Sequence, residues 1–176
     1  MKRFFISTML LMIALFFGCQ KSSEVAKEYT FEDNLTDWRS LKSAKIEQNK
    51  TVFHTGQASM KISGVSDSAV WSFAETIRMN LTAGKKYRFT GWMLIEKNNN
   101  YPIFFKCALD KDGKWYENAN TQQYDLSKRG QWQELSTEFI AAPSGNPKVI
   151  IAVEKRPFDK AVDAVVYVDD ITLSII

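Results

Sequence analysis

The stretch Lys86–Ile95, which reads KYRFTGWMLI, decides the fold of this chain. Its side chains alternate with a period of two, the spacing that places successive residues on opposite faces of a strand. The apolar face consists of Tyr87, Phe89, Gly91, Met93 and Ile95, and the mixed face of Arg88, Thr90, Trp92 and Leu94. One apolar and one mixed face are typical of a strand in a two-layer antiparallel fold, with the core on one side only.

Similar short runs, rich in Val, Ile, Phe, Tyr and Trp, occur along most of the chain and are separated by Gly, Asn, Asp and Pro. Such runs predict strands, and Asp112-Gly113 between two of them predicts a hairpin turn. No segment has a sustained helical period. Many short strands with regular turns predict an all-β domain, either a sandwich or a barrel. The predicted strands are Glu28–Glu32, Ala44–Gln48, Ala58–Ser63, Val70–Phe73, Lys85–Ile95, Ile103–Leu109, Trp115–Tyr124, Gln131–Ile140, Lys148–Val153 and Val165–Leu173.

The first residues have the composition of an export signal. Lys2 and Arg3 precede an apolar run, Phe4–Phe17, that ends at Gly18. This order is typical of a secretory signal peptide, and the run is shorter than the roughly 20 residues that a membrane-spanning helix needs. We therefore assign residues 1–18 to a signal peptide, 19–27 to a polar tether, and 28–176 to one folded domain.

The residue after the apolar run is Cys19, and Gly18-Cys19 resembles the lipobox of bacterial lipoproteins. The chain departs from that pattern at Phe16 and Phe17, with the leucine displaced to Leu15. The resemblance implies a lipid on Cys19 and attachment to the bacterial cell envelope, with Gln20 favouring the outer membrane. The alternative is an ordinary signal peptide cleaved nearby, with Cys19 unmodified.

Composition excludes several classes of function. The chain has 23 Lys and Arg against 20 Asp and Glu, and no basic stripe of the kind that binds nucleic acid. It has 2 Cys and 1 His, too few for a zinc site. If Cys19 carries lipid, Cys107 has no disulfide partner, and its apolar run predicts a buried thiol.

An ordered series of motifs along the chain resembles a known family. The series is Phe31-Glu32-Asp33 with Trp38, His54–Ile62, the isolated Trp71, Leu81–Trp92, Gln131–Leu135 and Val166–Leu173. In this order and spacing, from about Tyr29 to the end, it resembles the carbohydrate-binding modules of the galactose-binding-domain-like group, which accompany xylanases and glucanases. The resemblance implies a two-sheet antiparallel β-sandwich of jelly-roll topology and non-catalytic binding of a polysaccharide or oligosaccharide.

The same resemblance implies one structural calcium ion. In that fold the first and last strands are neighbours, which would bring Glu32 close to Asp169, with backbone carbonyls from the loop around Gly56 completing the site. Asp170 is the alternative ligand, because a strand directs consecutive residues to opposite faces. Carboxylates and carbonyls are the ligands that calcium prefers. The alternative is a pair of solvated or ion-paired acids.

Sugar binding requires exposed rings together with polar groups that hydrogen-bond to hydroxyls. Trp71 is the first candidate, because it lies where related modules carry a binding tryptophan and because its neighbours are polar. The run that begins at Trp115 is more polar than a core strand requires. For each ring, packing in the core is the alternative. The further candidates are Trp115, Tyr116, Tyr101 and Tyr124 among the rings, and Arg88, Gln122 and Gln123 as hydroxyl partners.

Two other classes of function remain as alternatives. A structural or adhesive lipoprotein would bind another protein and keep its rings in the core, since one fold supports many functions. A glycan-cleaving enzyme would need two carboxylates about 5–5.5 Å apart if it retains configuration, and no local pattern pairs the glutamates. His54 has no Ser or Cys partner in the sequence. We therefore expect a binding domain rather than an enzyme.

Overall fold

A computed structural model describes residues 23–96 and 99–176. The signal peptide and Cys19 lie outside these residues. Apart from one short 3-10 helix, Leu126–Lys128, the regular structure is β-strand, and within the described ranges no helix is long and apolar enough to cross a membrane. The strands are β1 (Glu24–Tyr29), β2 (Trp38–Ser40), β3 (Ala44–Asn49), β4 (Ser59–Ser66), β5 (Ser72–Thr76), β6 (Met79–Asn80), β7 (Lys86–Ile95), β8 (Ile103–Lys111), β9 (Lys114–Asn120), β10 (Gln133–Ile140), β11 (Pro147–Lys155) and β12 (Val162–Ile175).

The strands form two antiparallel six-stranded sheets, which confirms the predicted sandwich. The first sheet has the order β10-β7-β12-β4-β3, with β1 also paired to β12. The second has the order β2-β5-β11-β8-β9, with β6 also paired to β11. The long strand β12 is central, because β7 pairs with one edge while β4 and β1 share the other, β4 pairing with its first half and β1 with its last residues.

The core lies between the sheets and follows the predicted alternation. In β7 the residues of the apolar face are all buried. Phe89 of the first sheet meets Phe105 of the second edge to face, with ring centroids 5.2 Å apart. Gly91 makes room for this contact, since a Cβ there would lie 3.1 Å from both Ile171 Cγ1 and Phe105 Cε2. Trp38 is also buried, as is Cys107, which confirms the predicted buried thiol, and burial raises the pKa of that thiol.

Most predicted strands are present with shifted ends, such as β5 (predicted Val70–Phe73) and β9 (predicted Trp115–Tyr124), and three strands differ more. β1 begins at Glu24, inside the range assigned to the tether, rather than at Glu28. Its residues are mostly exposed and largely polar, so its pattern resembles a linker. β2 and β6 were not predicted, since strands of three and two residues are too short for a period of two to be recognised.

Candidate functional site

The outer face of the second sheet is built by the residues that alternate with its core residues. Along β8, Phe105, Cys107 and Leu109 belong to the core cluster, so Lys106 and Ala108 point the opposite way. The strand register aligns Lys106 with Ala152 of β11 and Asn120 of β9. Because partners in an antiparallel pair project on the same side, the register defines a face of polar and small residues across the sheet. The outer face comprises Arg39, Glu75, Phe104, Lys106, Ala108, Asp110, Trp115, Asn118, Asn120, Lys148, Ile150, Ala152 and Glu154.

Three cation–carboxylate pairs lie on or beside this face. Arg39 pairs with Glu75, Lys106 pairs with Glu154, and Nε of Arg78 lies 3.1 Å from Oδ2 of Asp110. In each pair the carboxylate is the less exposed member. Breaking such a pair from one side leaves a charge with little solvent, so these pairs fix the positions of the basic side chains.

Two tryptophans border the face from opposite corners. Trp71 immediately precedes β5 and is 57% exposed, and Trp115 of β9 is 73% exposed. The backbone of Trp71 accepts a hydrogen bond from Lys155 at one end of β11, whereas Trp115 is in register with Asp110 near the far end of β8. At about 3.3 Å per residue, the six residues from Phe104 to Asp110 separate these corners by about 20 Å along the strand direction.

Trp71 is held in an aromatic and cationic environment. Its ring centroid lies 5.4 Å from that of Phe158, and Lys106 Nζ is 5.4 Å from the same ring. On the other side of Phe158, the Arg156 guanidinium carbon lies 4.4 Å from the ring centroid. These contacts orient the indole and extend its ring surface with that of Phe158.

Two depressions lie along β5 on this face. One, of about 230 Å³, lies against Trp71 and is lined by Leu41, Ala69, Val70, Trp71, Ser72, Glu75 and Lys106. The other, of about 290 Å³, is lined by Arg39, Thr76, Ile77, Arg78 and Ile150. Arg39 and Glu75, which pair with each other, join the two depressions into a shared surface.

The structure places the remaining ligand candidates away from this face. Tyr124 is only 2% exposed, and its hydroxyl donates to the carbonyls of Lys128 and Gln131. Arg88 lies on β7 in the first sheet and pairs with Glu138. Tyr101 is half-buried and packs against the core. The prediction that these three share a site with Trp71 is therefore corrected, whereas Tyr116, beside Trp115, is 41% exposed.

Several residues of the face were missed in the sequence. Phe158 lies in the loop between β11 and β12, where no strand pattern marks it. Arg39 lies on the unpredicted β2, and Arg78 between β5 and β6. Lys106 and Glu154 could have been found, because each occupies the polar phase of an otherwise apolar strand.

A buried lysine ties the loops of the site together. Lys155 is 0% exposed, and its Nζ donates to the carbonyls of Ser66 (2.7 Å), Asp67 (2.6 Å) and Lys160. Burial lowers the pKa of this ammonium group. Ser66 and Asp67 precede Trp71, and Lys160 follows Phe158. A single cation therefore positions the segments that carry both rings.

The predicted metal ligands each contact the loop between β3 and β4, away from this face. Glu32 Oε1 accepts from the amides of Gln57 and Ala58 at 2.9 and 3.2 Å. Asp169 Oδ2 accepts from the His54 amide at 2.8 Å. Asp170, with φ +43°, accepts from the Thr55 hydroxyl. The irregular register after Asp169 lets both consecutive aspartates face the same loop, contrary to the alternation expected for a regular strand.

Asp169 is an unusual carboxylate in this cluster. It is 0% exposed, and burial raises the pKa of its carboxyl group to about 6 despite the hydrogen bonds it accepts from the His54 and Asp170 amides. His54 instead pairs through Nδ1 with Asp170 at 2.7 Å, and its ring stacks on Trp92 at 3.8 Å. Ionised Asp169 thus carries a charge that backbone amides alone compensate.

We expect Lys155→Met to loosen the loops that carry Trp71 and Phe158. The substitution keeps the volume and removes the donor to three carbonyls, so the free energy of unfolding should fall by about 1–3 kcal/mol. Trypsin should also cleave faster after Lys160. Lys148→Met, on the same strand but half-exposed, is the matched control and should change neither quantity. Unchanged stability and proteolysis in Lys155→Met would contradict the positioning role.

The chain is similar in sequence to known carbohydrate-binding proteins. A family model described as a carbohydrate binding domain matches residues 23–160. Endo-1,4-beta-xylanase A of Thermotoga maritima is 27% identical over 132 residues, which cover 72% of this chain but only 12% of that enzyme. The chain therefore spans a small part of this relative.

Solved structures share the fold at low identity. The CBM22-1 xylan-binding domain of Paenibacillus barcinonensis Xyn10C superposes with a TM-score of 0.66 at 11% identity, covering 88% of this chain and 96% of that one. The CBM22-1–GH10 modules of Clostridium thermocellum Xyn10B, complexed with xylohexaose, give 0.69 at 15% identity, covering 88% of this chain and 29% of that one. Because the family model spans most of its length, the chain belongs to the CBM_4_9 family of carbohydrate binding domains.

Proposed function

We propose that this domain binds a polysaccharide along the outer face of the second sheet and does not cleave it. The observation that carries the proposal is the pair of exposed indoles, Trp71 and Trp115, at opposite corners of one face. Such rings stack on the apolar faces of sugar rings, and amides and charged groups between them hydrogen-bond to hydroxyls. Asn118 and Asn120, on the same face beside Trp115, are suitable amides.

A β-1,4-linked xylan is the first ligand to test. Two of the structural neighbours are named for xylan binding or for a xylohexaose complex. A separation of about 20 Å along the strands alone suits an extended oligosaccharide rather than a single sugar. The three acids on or beside the face are each paired with Arg or Lys. That arrangement fixes side chains in place and is not suited to the proton transfer of a glycosidase.

Trp71→Ala tests this proposal directly. Removing this exposed aromatic anchor should weaken binding of xylohexaose about tenfold or more, measured by isothermal titration calorimetry, and Trp115→Ala should have a smaller effect in the same direction. Phe53→Ala removes an exposed ring from the loop after β3 and should leave the affinity unchanged. Full affinity in both tryptophan variants would contradict a site on this face. A folded protein that binds no glycan would favour the structural or adhesive alternative.

We also propose that the cluster around Asp169 holds one structural calcium ion. Three features of the cluster fit a cation. In the part of the chain that the structure describes, the buried Asp169 lacks a cationic partner. Glu32 Oε1 lies 2.1 Å from the position that a Cβ at Gly56 would occupy, and the other acceptors are hard oxygens. Among the described residues no group of three or more acidic, His or Cys side chains lies close enough to hold a metal. Glu32, Asp169 or Asp170 would therefore share the ion with backbone carbonyls, and the ion would neutralise their charge.

The calcium proposal predicts stabilisation that depends on these acids. Calcium at 100 times its dissociation constant should raise the free energy of unfolding by about 2.7 kcal/mol over protein in EDTA. Asp169→Asn and Glu32→Gln should each abolish that increment, and the exposed Asp163→Asn on the same strand should keep it. Equal stability with and without calcium in the unsubstituted protein would contradict the proposal.

The pH dependence of the metal-free protein provides an internal check on Asp169. Its pKa is raised in the folded state from 3.8 to about 6, so the folded state holds this proton more tightly than the unfolded state. The resulting stability is present below pH 3.8 and is lost as the pH rises towards 6. Asp169→Asn should remove this contribution.

We propose that Cys19 anchors the domain to the bacterial cell envelope through lipid. β1 begins at Glu24 and pairs with β12 in the first sheet. A tether entering there would leave the outer face of the second sheet open to a polysaccharide. Two or more acyl chains hold a protein stably at a membrane.

Metabolic labelling in a bacterial host tests the anchor. The full chain should incorporate a labelled fatty acid and sediment with membranes, and Cys19→Ser should lose both properties. Cys107→Ala alters the other cysteine and should retain both. Label that persists in Cys19→Ser, or an N-terminus other than Cys19 found by mass spectrometry, would contradict lipidation at this residue.

A further inference from the structure

We propose that the polysaccharide carries carboxylate groups, as in uronic acid residues, and that Arg39 and Arg78 bind one of these groups. The inference rests on the proposed function, because it names the class of sugar for the same face. The two guanidinium groups flank the depression of about 290 Å³, whose other lining residues are Thr76, Ile77 and Ile150.

Arg78 is anchored at its base and free at its tip. Its Nε faces Asp110 at 3.1 Å, and the Arg78 side chain is 57% exposed whereas that of Asp110 is 11% exposed. Because Nε is the nitrogen that lies closest to Asp110, the edge formed by the two terminal amino groups is available to a ligand. That edge makes the bidentate contact with a carboxylate.

Arg39 repeats the arrangement on the other side of the depression. Its Nε and Nη2 both donate to a single oxygen, Oε1 of Glu75, and its side chain is 65% exposed against 18% for Glu75. The remaining N–H groups of the fork therefore face solvent at the rim. A guanidinium has five donors, so each arginine can keep its acid and still bind a ligand carboxylate.

The charge of the surroundings favours an anion over a neutral sugar. Among the described residues on and beside the face, four cationic side chains, Arg39, Arg78, Lys106 and Lys148, stand against three carboxylates. In each pair the carboxylate is the less exposed member, and Arg39 and Arg78 are the cations that a ligand meets, with side chains 65% and 57% exposed. A neutral hydroxyl would be bound as well by an amide, whereas a pair of forked cations at one depression is specific for a planar anion.

The adjoining depression indicates which sugar unit of the ligand would carry the carboxylate. Trp71 lines the neighbouring depression of about 230 Å³, and Glu75, which holds Arg39, lines it as well. A sugar stacked on Trp71 would therefore place an adjacent unit or its substituent between Arg39 and Arg78. The exposed Ile77 and half-buried Ile150 provide an apolar floor for the ring that bears the acid.

Calorimetric titration of the purified protein tests the inference with three probes of equal length. These are a neutral xylooligosaccharide, the same oligosaccharide with one glucuronic acid branch, and an oligogalacturonate whose backbone carries the acid. We expect an acidic probe to bind about tenfold more tightly than the neutral one in about 20 mM salt. The advantage should shrink at about 0.5 M salt, where charges are screened. Preference for the branched probe or for the oligogalacturonate identifies the source of the carboxylate, and either result supports the inference.

Variants locate the subsite. Arg78→Gln and Arg39→Gln should each lower the affinity for the acidic probe by a larger factor than the affinity for the neutral probe. Arg88→Gln is the matched control, because Arg88 also donates through Nε and Nη2 to one glutamate oxygen but lies on the first sheet. It should leave all affinities unchanged. If Arg78→Gln fails to fold because Asp110 loses its partner, Arg78→Lys retains the charge, loses the fork, and should lose the preference.

The outcomes separate this inference from the proposed function. Tight binding of the neutral probe with no preference for either acidic probe overturns the inference and leaves polysaccharide binding intact. A preference that survives in both arginine variants also overturns it, because the carboxylate then binds elsewhere. Binding of none of the three probes by folded protein overturns the inference together with the proposed xylan ligand.

Discussion

The alternation of side chains along β8 and β11 is the constraint on which both the core and the candidate binding face depend. Phe105 and Ile151 point into the core, and Lys106 and Ala152, each the next residue, point outward. A slip of one residue would exchange the two sets and would bury Lys106 while exposing a phenylalanine. The cost of that exchange fixes the register, and the register in turn fixes which groups a ligand can meet. Stability of the sandwich and geometry of the face are therefore specified by the same residues.

The ion pairs of the outer face fix the positions of side chains and contribute little to the stability of the domain. Glu154 and Lys106 are both nearly inaccessible, and removing either partner of such a pair would cost about 3–5 kcal/mol, although the pair as a whole contributes little. Oε2 of Glu154 makes this ion pair without hydrogen-bond geometry, which further limits what the pair contributes to stability. Its consequence is that Lys106 stays beside the ring of Trp71. The less exposed carboxylates thus fix the positions of the basic side chains of this face.

The sequence predicted the fold well and the candidate site only partly, for physical reasons. A period of two shows that a strand has two faces, and it identified the buried face of β7. It does not show which of two sheets a strand joins, so Arg88 was grouped with Trp71 although they lie on different sheets. Nor does it separate a buried ring with a satisfied hydroxyl, such as Tyr124, from an exposed one. Phe158 could not be found, because its place beside Trp71 depends on contacts between loops that are distant in sequence.

Two separate devices hold the loops of the domain, and their separation has a functional consequence. On the second sheet, Lys155 fixes the segments around Trp71 by donating to three carbonyls. On the first sheet, Glu32 and Asp169 fix the loop between β3 and β4 by accepting from its amides. One device is a buried cation that binds carbonyls, and the other is a pair of carboxylates, the buried Asp169 and the exposed Glu32, that accept from amides. Since the anionic cluster and the rings belong to different sheets, a cation bound at Asp169 would act on the ligand only through the stability of the whole sandwich. Under conditions in which the domain is fully folded, the affinity of the outer face should therefore be independent of that cation, whereas the temperature at which binding is lost should follow it.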